Sequence, residues 1–280
     1  MPKNILIKLI ALSSLLLLPL SASAETPMEK TLCNQQNIDL WAHATYAKNG
    51  NTLIIQGKTV RLIGVHAPLT DRKQKFNNPG EPLSKEAQTF LNKLLANNDL
   101  EVGVEYDTTK VDKFGRQLVH LFLRDGTNIQ EAIIKAGFGL NYPAGDNNKY
   151  AQCYFAAEKV AREGQFQLWD YLEKHPDSHF PLAQSSQLTS QDTGFRIIRG
   201  KVEKVMKSSS NYIINMDTTG IRIPKRHWHR FNYRELKALK GKTIEVRGQA
   251  FLHKGVMFMI IDTPNSIDAL NPLNNPTKKR

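Results

Sequence analysis

The chain has 280 residues, 40% of them hydrophobic, which is enough to build two modest domains with separate cores. Its formal net charge of +12 is unevenly placed: residues 25–194 carry 18 basic and 20 acidic side chains, whereas residues 195–280 carry 18 basic and 6 acidic ones. A polyanion is therefore expected to meet the C-terminal part first. The spacing of the Cys and His residues excludes the common zinc modules.

The first residues carry the pattern of an export signal. Lys3 and Lys8 lie at the start of an apolar run that ends at Leu20, and residues 21–24 are small, as a signal peptidase requires. We predict that residues 1–24 are a signal peptide and that the mature protein is periplasmic or secreted, with no transmembrane span. The alternative is a membrane anchor, although the run is shorter than the ~20 apolar residues that a span needs.

Two cysteines remain in the mature chain, Cys33 and Cys153. An oxidising compartment favours pairing them in a disulfide, which would tie the N-terminal arm to a later helix. The alternative is two separate thiols.

Five strands and three helices are predicted between residues 38 and 163. The strands are expected at residues 38–48, 52–56, 60–69, 100–106 and 117–123, and the helices at residues 84–97, 128–136 and 150–163. The order strand, strand, strand, helix, strand, strand is that of an OB-type five-stranded barrel. We therefore expect a mainly β fold with helices (α+β) in this half of the chain.

Two arginines lie at comparable points of this pattern, each near a glycine that lets another group approach the backbone. Arg61 is on the third strand, and Arg116 precedes the strand that begins at Gln117. A guanidinium binds phosphate oxygens through two parallel hydrogen bonds, so the pair is a candidate phosphate clamp.

Short motifs follow one another in a definite order between residues 40 and 171. They are Gly50-Asn51-Thr52, the Arg61 strand with its Ala67-Pro68 exit, Pro82 to Ala87, Phe114-Gly115-Arg116, and Ala157-Glu158 leading to Leu168-Trp169. This series resembles the thermonuclease, or staphylococcal-nuclease-like, family. The resemblance implies an OB-type fold and calcium-dependent hydrolysis of phosphodiesters in nucleic acid.

Three positions depart from the family pattern. The family carries an Asp where Asn51 stands, an Asp or Asn where His66 stands, and the catalytic Glu where Leu69 stands. Calcium prefers several oxygen ligands, and a general base must accept a proton, which leucine cannot do. We therefore expect that Arg61 and Arg116 still bind phosphate while no metal is bound and hydrolysis is lost or much reduced. Calcium is the implied ion if activity remains.

Other side chains near this site are weaker candidates. Lys73 and Lys75 lie in a polar loop, Glu81 and Glu86 are the nearest carboxylates that could replace the base, and His66 itself has a suitable pKa. Alternatively, the two lysines belong to a solvated loop and the two glutamates are helix-surface or capping residues. The alternative for His66 is a neutral residue in the pocket wall. Lys113 and Tyr142 are candidate ligand contacts, with Tyr142 either stacking on a base or partly buried in a loop.

Beyond the motifs the chain changes character. Residues 25–170 are assigned to the first domain, and residues 171–194, polar and Ser/Gln-rich with two prolines, to a linker. Residues 195–270 repeat the strand and helix order of the first barrel, with Gly200 interrupting the first strand, and are expected to form a second, basic OB-like barrel. Residues 271–280 are expected to be a disordered tail.

The second barrel contains a segment in which basic and aromatic residues alternate. Its members are Lys225, Arg226, Trp228, Arg230, Phe231, Tyr233 and Arg234. Charges for phosphates and rings for bases are typical of proteins that bind single strands. The alternative is a capping segment whose rings close one end of the barrel.

Three functions are compatible with these features of the sequence. The first is an exported binder of single-stranded DNA, RNA or another polyanion on a nuclease scaffold. The second is an active nuclease with a different base or metal, and the third is a periplasmic adaptor that binds anionic lipid or protein through its basic domain. The oligomeric state is not predicted.

Overall fold

The computed structural model describes residues 33–71, 80–143 and 145–271. It is an α+β fold with two five-stranded barrels, as predicted. The expected signal peptide, Lys73, Lys75 and all but the first residue of the expected tail lie outside the described residues. Within the described part of the chain, no helix is long and apolar enough to cross a membrane.

The strands of the first barrel are β1 (Leu40–Asn49), β2 (Thr52–Ile55), β3 (Lys58–Leu62), β5 (Glu101–Glu105) and β6 (Gln117–Phe122). They pair in the order β1-β2-β3-β6-β5, and the ring is closed. Helix α1 (Ser84–Ala96) follows the third barrel strand in the chain. Alternating apolar side chains of these strands fill the interior, where Leu53, Val102 and Leu121 are fully buried. The two guanidinium-bearing segments become neighbours because β3 and β6 pair in parallel, with Arg61 opposite Leu118.

The expected strand over residues 60–69 is divided in two. Strand β3 ends at Leu62, and a short strand β4 (Val65–His66) pairs instead with β7 (Leu140–Asn141). Gly64 makes the bend with a φ of 75°, and a Cβ atom there would lie 2.5 Å from the ring of Tyr154. A side chain at this position is therefore excluded by both conformation and space.

Three helices pack beside the first barrel: α2 (Ile129–Lys135), α3 (Ala151–Glu163) and α4 (Leu168–Lys174). The predicted disulfide between Cys33 and Cys153 is confirmed, and it joins the N-terminal arm to the first turn of α3 across 120 residues. This linkage closes a long loop and so reduces the entropy of the unfolded chain.

The second barrel repeats the topology of the first. Its strands are β9 (Gly194–Lys207), β10 (Asn211–Met216), β11 (Thr219–Pro224), β12 (Thr243–His253) and β13 (Val256–Ile260), with helix α5 (Tyr233–Lys237) between β11 and β12. Strand β9 closes the ring by pairing with both β10 and β12, and β11 pairs with β13 in parallel. Strand β9 runs through Gly200 without the expected break. A Cβ atom at Gly200 would lie 2.8 Å from the Cβ of Ser185, so the glycine serves close packing and not a strand end.

The segment between the barrels is packed rather than extended. Residues 171–194 include the end of α4 and strand β8 (Leu182–Gln184), which pairs in parallel with β9. Phe180 is buried in a cluster that also contains Trp169 of α4 and Phe195 of β9. The two barrels therefore share an apolar contact region.

Candidate functional site

Arg61 lies on β3 with its guanidinium beside the strand exit. Its Nη1 donates to Asn51 Oδ1 and its Nη2 to the carbonyl of Val65 at 3.3 Å. Burial and then the neighbouring charge of Arg116 lower the pKa of Arg61 to about 10. The side chain thus stays cationic at neutral pH, and in the described part of the chain its hydrogen-bond partners are neutral oxygens.

Arg116 stands in the turn that leads into β6. Both its Nε and its Nη2 lie 2.7 Å from Asp112 Oδ2, and 31% of its side chain remains exposed. Lys113 and Phe114 are exposed beside it, with the Lys113 ammonium 5.1 Å from the centre of the Phe114 ring. Among the described residues, Asp112 is thus the carboxylate that pairs with Arg116 and also acts on Arg61, and it offsets part of their positive charge.

The positions expected to bind calcium do not fit that ion. Asn51 is fully buried, and its Oδ1 already accepts hydrogen bonds from Arg61 and from the Thr52 hydroxyl. His66 offers nitrogen, and Leu69 offers no ligand atom, whereas calcium takes six to eight oxygens. Among the described residues, the group of acidic, His and Cys side chains that lie close enough to hold an ion is Cys33, Glu131 and Cys153, and its cysteines form the disulfide.

His66 is enclosed by the second barrel. Its ring stacks on Phe195 at 4.3 Å between ring centres, and its Nε2 lies 3.2 Å from Glu81 Oε2. Burial lowers the pKa of His66, although Glu81 acts in the opposite direction, so the imidazole is neutral at pH 7. His66 therefore packs in the wall of the site, as the alternative interpretation of this residue expected.

Glu81 lies beside Leu69, the position at which the family carries its catalytic base. Its Oε2 accepts the backbone N–H of Leu69 at 2.8 Å, and its Oε1 lies 3.7 Å from Arg196. These contacts hold the carboxylate in a cleft of about 310 Å³ between the two barrels. Glu86, in contrast, is exposed on the first turn of α1.

Tyr142 forms another wall between the two barrels. It is half-buried, its ring contacts Phe195 edge-on at 5.1 Å, and its backbone N–H donates to Gly64. Burial raises the pKa of its hydroxyl, so the phenol is neutral. Tyr142 also lines a second interbarrel cleft of about 300 Å³, together with Arg226 and His227.

The alternating basic and aromatic segment divides between core and surface. Phe231 is buried in the second core, and Trp228 and Tyr233 both stack on Tyr212, at 4.2 and 4.7 Å between ring centres. Arg230 pairs with Asp146 of the first domain at 2.6 Å. Lys225, Arg226 and Arg234 remain exposed. The rings thus pack within the barrel, while three of the cations face solvent.

Sequence patterns do not identify the residues that join the barrels at this site. Near the start of β9, Phe195 stacks on His66 and Arg196 lies close to Glu81. Arg247 of β12 binds Glu158 of α3 through a buried ion pair. Alternation along a strand indicates which side chains face inward, but it does not indicate which domain covers them.

The fold and this site define a class of protein. A closed OB-type barrel whose third and last strands pair in parallel, with Arg61 on one and Arg116 directly before the other, has the architecture of a nuclease-like domain.

Comparisons with known proteins give the family. Residues 59–171 match the staphylococcal nuclease homologue family. The chain is 37% identical over 130 residues to a thermonuclease of Staphylococcus intermedius, covering 44% of this chain and 71% of that protein. It is 32% identical over 125 residues to a thermonuclease of Staphylococcus hyicus, covering 43% and 70%, respectively. The chain therefore belongs to the staphylococcal nuclease family. An uncharacterized protein of Methanocaldococcus jannaschii is also similar, at 26% identity over 131 residues.

Proposed function

We propose that this protein binds nucleic acid or a similar phosphate polyanion in the nuclease-type cleft, without calcium-dependent hydrolysis. The observation that carries the proposal is the composition of the cleft. Arg61 and Arg116 are kept, whereas the three positions for metal ligands and base hold Asn51, His66 and Leu69.

The loss of hydrolysis follows from what those three side chains can do. Leu69 has no atom that accepts a proton, and an acid/base group of this kind contributes about 100- to 10,000-fold in rate. The Asn51 oxygen is engaged by Arg61, and His66 is packed against Phe195. Neither is placed to hold a calcium ion that would orient water.

The same composition favours binding without metal. In an active site of this family, carboxylates and calcium balance one another, so removing both leaves the guanidinium groups. Here Asp112 neutralises part of that charge, and Arg61 stays cationic. A phosphate group can therefore bind in the presence of a chelator.

Export belongs to the same proposal. The N-terminal pattern of residues 1–24 supports a signal peptide, and the Cys33–Cys153 disulfide is consistent with an oxidising compartment. We infer that the ligand is met in the periplasm or outside the cell.

The test is a binding measurement in EDTA with a fluorescent oligonucleotide and the mature protein. Arg61→Gln should weaken binding about tenfold or more, because a charge-assisted contact to phosphate is lost. Arg124→Gln removes the same charge from an exposed site on the first barrel and should leave affinity nearly unchanged. Binding that requires calcium, or equal effects of both substitutions, would contradict the proposal.

A second function has one specific observation in its favour. Glu81 contacts both His66 and the backbone of Leu69, so a carboxylate does reach the end of the strand that normally carries the base. A nuclease assay over several divalent metals distinguishes the two functions. Release of acid-soluble fragments that disappears in Glu81→Gln would support an active enzyme with a relocated base.

A further inference from the structure

The second barrel carries an exposed aromatic and cationic surface that the cleft does not use. It is formed by the outward side chains of β10, β11, β13 and the end of β12, and we call it the outer face. Its members are Ile213, Arg222, Phe251, His253, Phe258 and Ile260. At one edge it adjoins the alternating segment that begins at Lys225, because Ile260 lines the second interbarrel cleft together with Arg226.

Strand pairing makes these residues one continuous surface. Phe251 lies opposite Phe258, and Arg222 lies opposite both Ile213 and Ile260. Phe251 is 37% exposed and Ile260 is 49% exposed. Adjacent exposed apolar groups of this kind mark interaction surfaces more often than isolated ones do.

The rings on the outer face are held in place. Phe258 lies over Gly220, where a Cβ atom would come within 2.7 Å of the ring, so the absence of a side chain makes room for it. The Arg222 guanidinium lies 4.6 Å from the centre of the Phe258 ring, and Phe251 lies 6.3 Å from it with an interplanar angle of 29°. Two rings and a guanidinium plane are thus arranged before any ligand arrives.

The charge of the outer face is of one sign. The outward positions of these strands contain no Asp or Glu, and Arg222 donates to Asn215 and to a backbone carbonyl. Burial lowers the pKa of Arg222, and none of the described carboxylates counters that effect. A ligand that brings negative charge together with flat apolar rings fits this combination.

We propose that the outer face binds the bases of a single-stranded nucleic acid, with Phe251 and Phe258 as stacking partners and Arg222 as a phosphate contact. Stacking on aromatic side chains beside a cation is how sequence-tolerant single-strand binders work. The inference deepens the proposed function, on which it rests, by adding a base-binding surface to the phosphate-binding cleft.

The experiment compares two ligands of equal charge on the full mature chain. One is a labelled 20-mer of thymidine and the other an abasic 20-mer, which has phosphates but no bases. Phe251→Ala should bind the thymidine ligand about tenfold more weakly, because one base–ring stack is lost. Its affinity for the abasic ligand should equal that of the unsubstituted protein. Phe251→Trp should restore the preference for bases.

Two controls complete the design. Tyr46→Ala removes an exposed ring, 47% accessible, from β1 of the first barrel and should change neither affinity. Arg222→Gln should weaken both ligands, whereas Lys240→Gln, which removes a charge from an exposed position of the same barrel, should have less effect. Thermal unfolding of each variant verifies that it is folded.

The outcomes separate this inference from the proposed function. If Arg61→Gln weakens binding and Phe251→Ala does not, the cleft binds and the outer face does not. Stacking on bases is wrong if Phe251→Ala weakens binding of both ligands equally. It is also wrong if the substitution alters only binding to anionic vesicles, or only the self-association of the protein. If neither oligonucleotide binds, the outer face does not bind single strands and the cleft does not bind nucleic acid, so this inference is wrong and the ligand of the cleft must be a different polyanion.

Discussion

At the scale of single residues, Asn51 shows how one atom changes the electrostatics of a site. A carboxylate at this position would place a negative charge against Arg61 and would hold a cation in front of it. The amide of Asn51 still accepts the hydrogen bond from Arg61, but it adds no charge. The guanidinium therefore faces a neutral oxygen, and the potential around it is more positive than a carboxylate at this position would leave it.

Leu69, at the position of the family's base, leads to a prediction about hydrolysis. Leu69→Glu alone should raise calcium-dependent hydrolysis by less than about tenfold, far below the 100- to 10,000-fold that a working base contributes. The physical reason is that Asn51 and His66 still leave the ion without carboxylate ligands. The measurement is the release of acid-soluble fragments from DNA in calcium.

A combined variant controls for this interpretation. Adding Asn51→Asp and His66→Asp to Leu69→Glu supplies the ligands, and its activity should exceed that of the single variant. Strong recovery in the single variant would show that metal binding was not the limiting step.

At the scale of elements, helix α3 and strand β12 are joined by an ion pair that is almost completely buried. Glu158 accepts Arg247 Nη1 at 2.8 Å through both oxygens and also accepts the backbone N–H of Asn141. The exposed fractions of the two side chains are 3% and 1%. A buried pair of this kind costs desolvation energy to form, but breaking it is costlier still.

Glu158→Gln should therefore lower the free energy of unfolding by about 3–5 kcal/mol, because it removes the carboxylate that pairs with the buried Arg247 charge. Urea denaturation measures this loss. Glu163→Gln, at an exposed position on the same helix, should change stability by less than about 0.5 kcal/mol. Adding Arg247→Met to Glu158→Gln should recover most of the loss, and failure to recover would mean that the cost lies in packing.

The elements also show what the sequence could and could not predict. Local patterns predict the repeated strand order and the arginine pair, and the expected compartment predicts the disulfide. The structure contains both barrels and the disulfide. The contact of Phe195 with His66 follows from no local pattern, because the two residues lie on strands of different sheets and the sequence around each indicates only its own strand. Gly64 could have been recognised as a bend, since a glycine inside an apolar run often marks one.

At the scale of the whole molecule, the two barrels are held together by a network in which one carboxylate serves both. Glu245 of β12 accepts two hydrogen bonds from Arg162 of α3, at 2.8 and 2.9 Å, and lies 2.5 Å from Arg199 of β9. Burial by itself would raise the pKa of Glu245, but these two arginines hold it at about 2.

Acid should therefore weaken the connection between the barrels in a defined pH window. The folded-state pKa of Glu245 lies below its ordinary value of 4.5, so its stabilisation is complete above pH 4.5 and is lost as the pH falls towards 2. A difference of this size corresponds to about 3 kcal/mol. We expect the unfolding free energies of the unsubstituted protein and Glu245→Gln to differ by about this amount at pH 7 and to converge below pH 4.5. Urea titrations at several pH values measure that difference.

The comparison between the two proteins isolates this carboxylate from other groups that titrate in acid. Burial lowers the pKa of both His66 and His120, so protonating them destabilises the fold as the pH falls, but it does so equally with and without Glu245. Glu203→Gln, at an exposed position of β9, should follow the unsubstituted protein at every pH. If the difference in unfolding free energy between Glu245→Gln and the unsubstituted protein stays constant from pH 6 to pH 3, the packing of the side chain and not its charge connects the first barrel to the second.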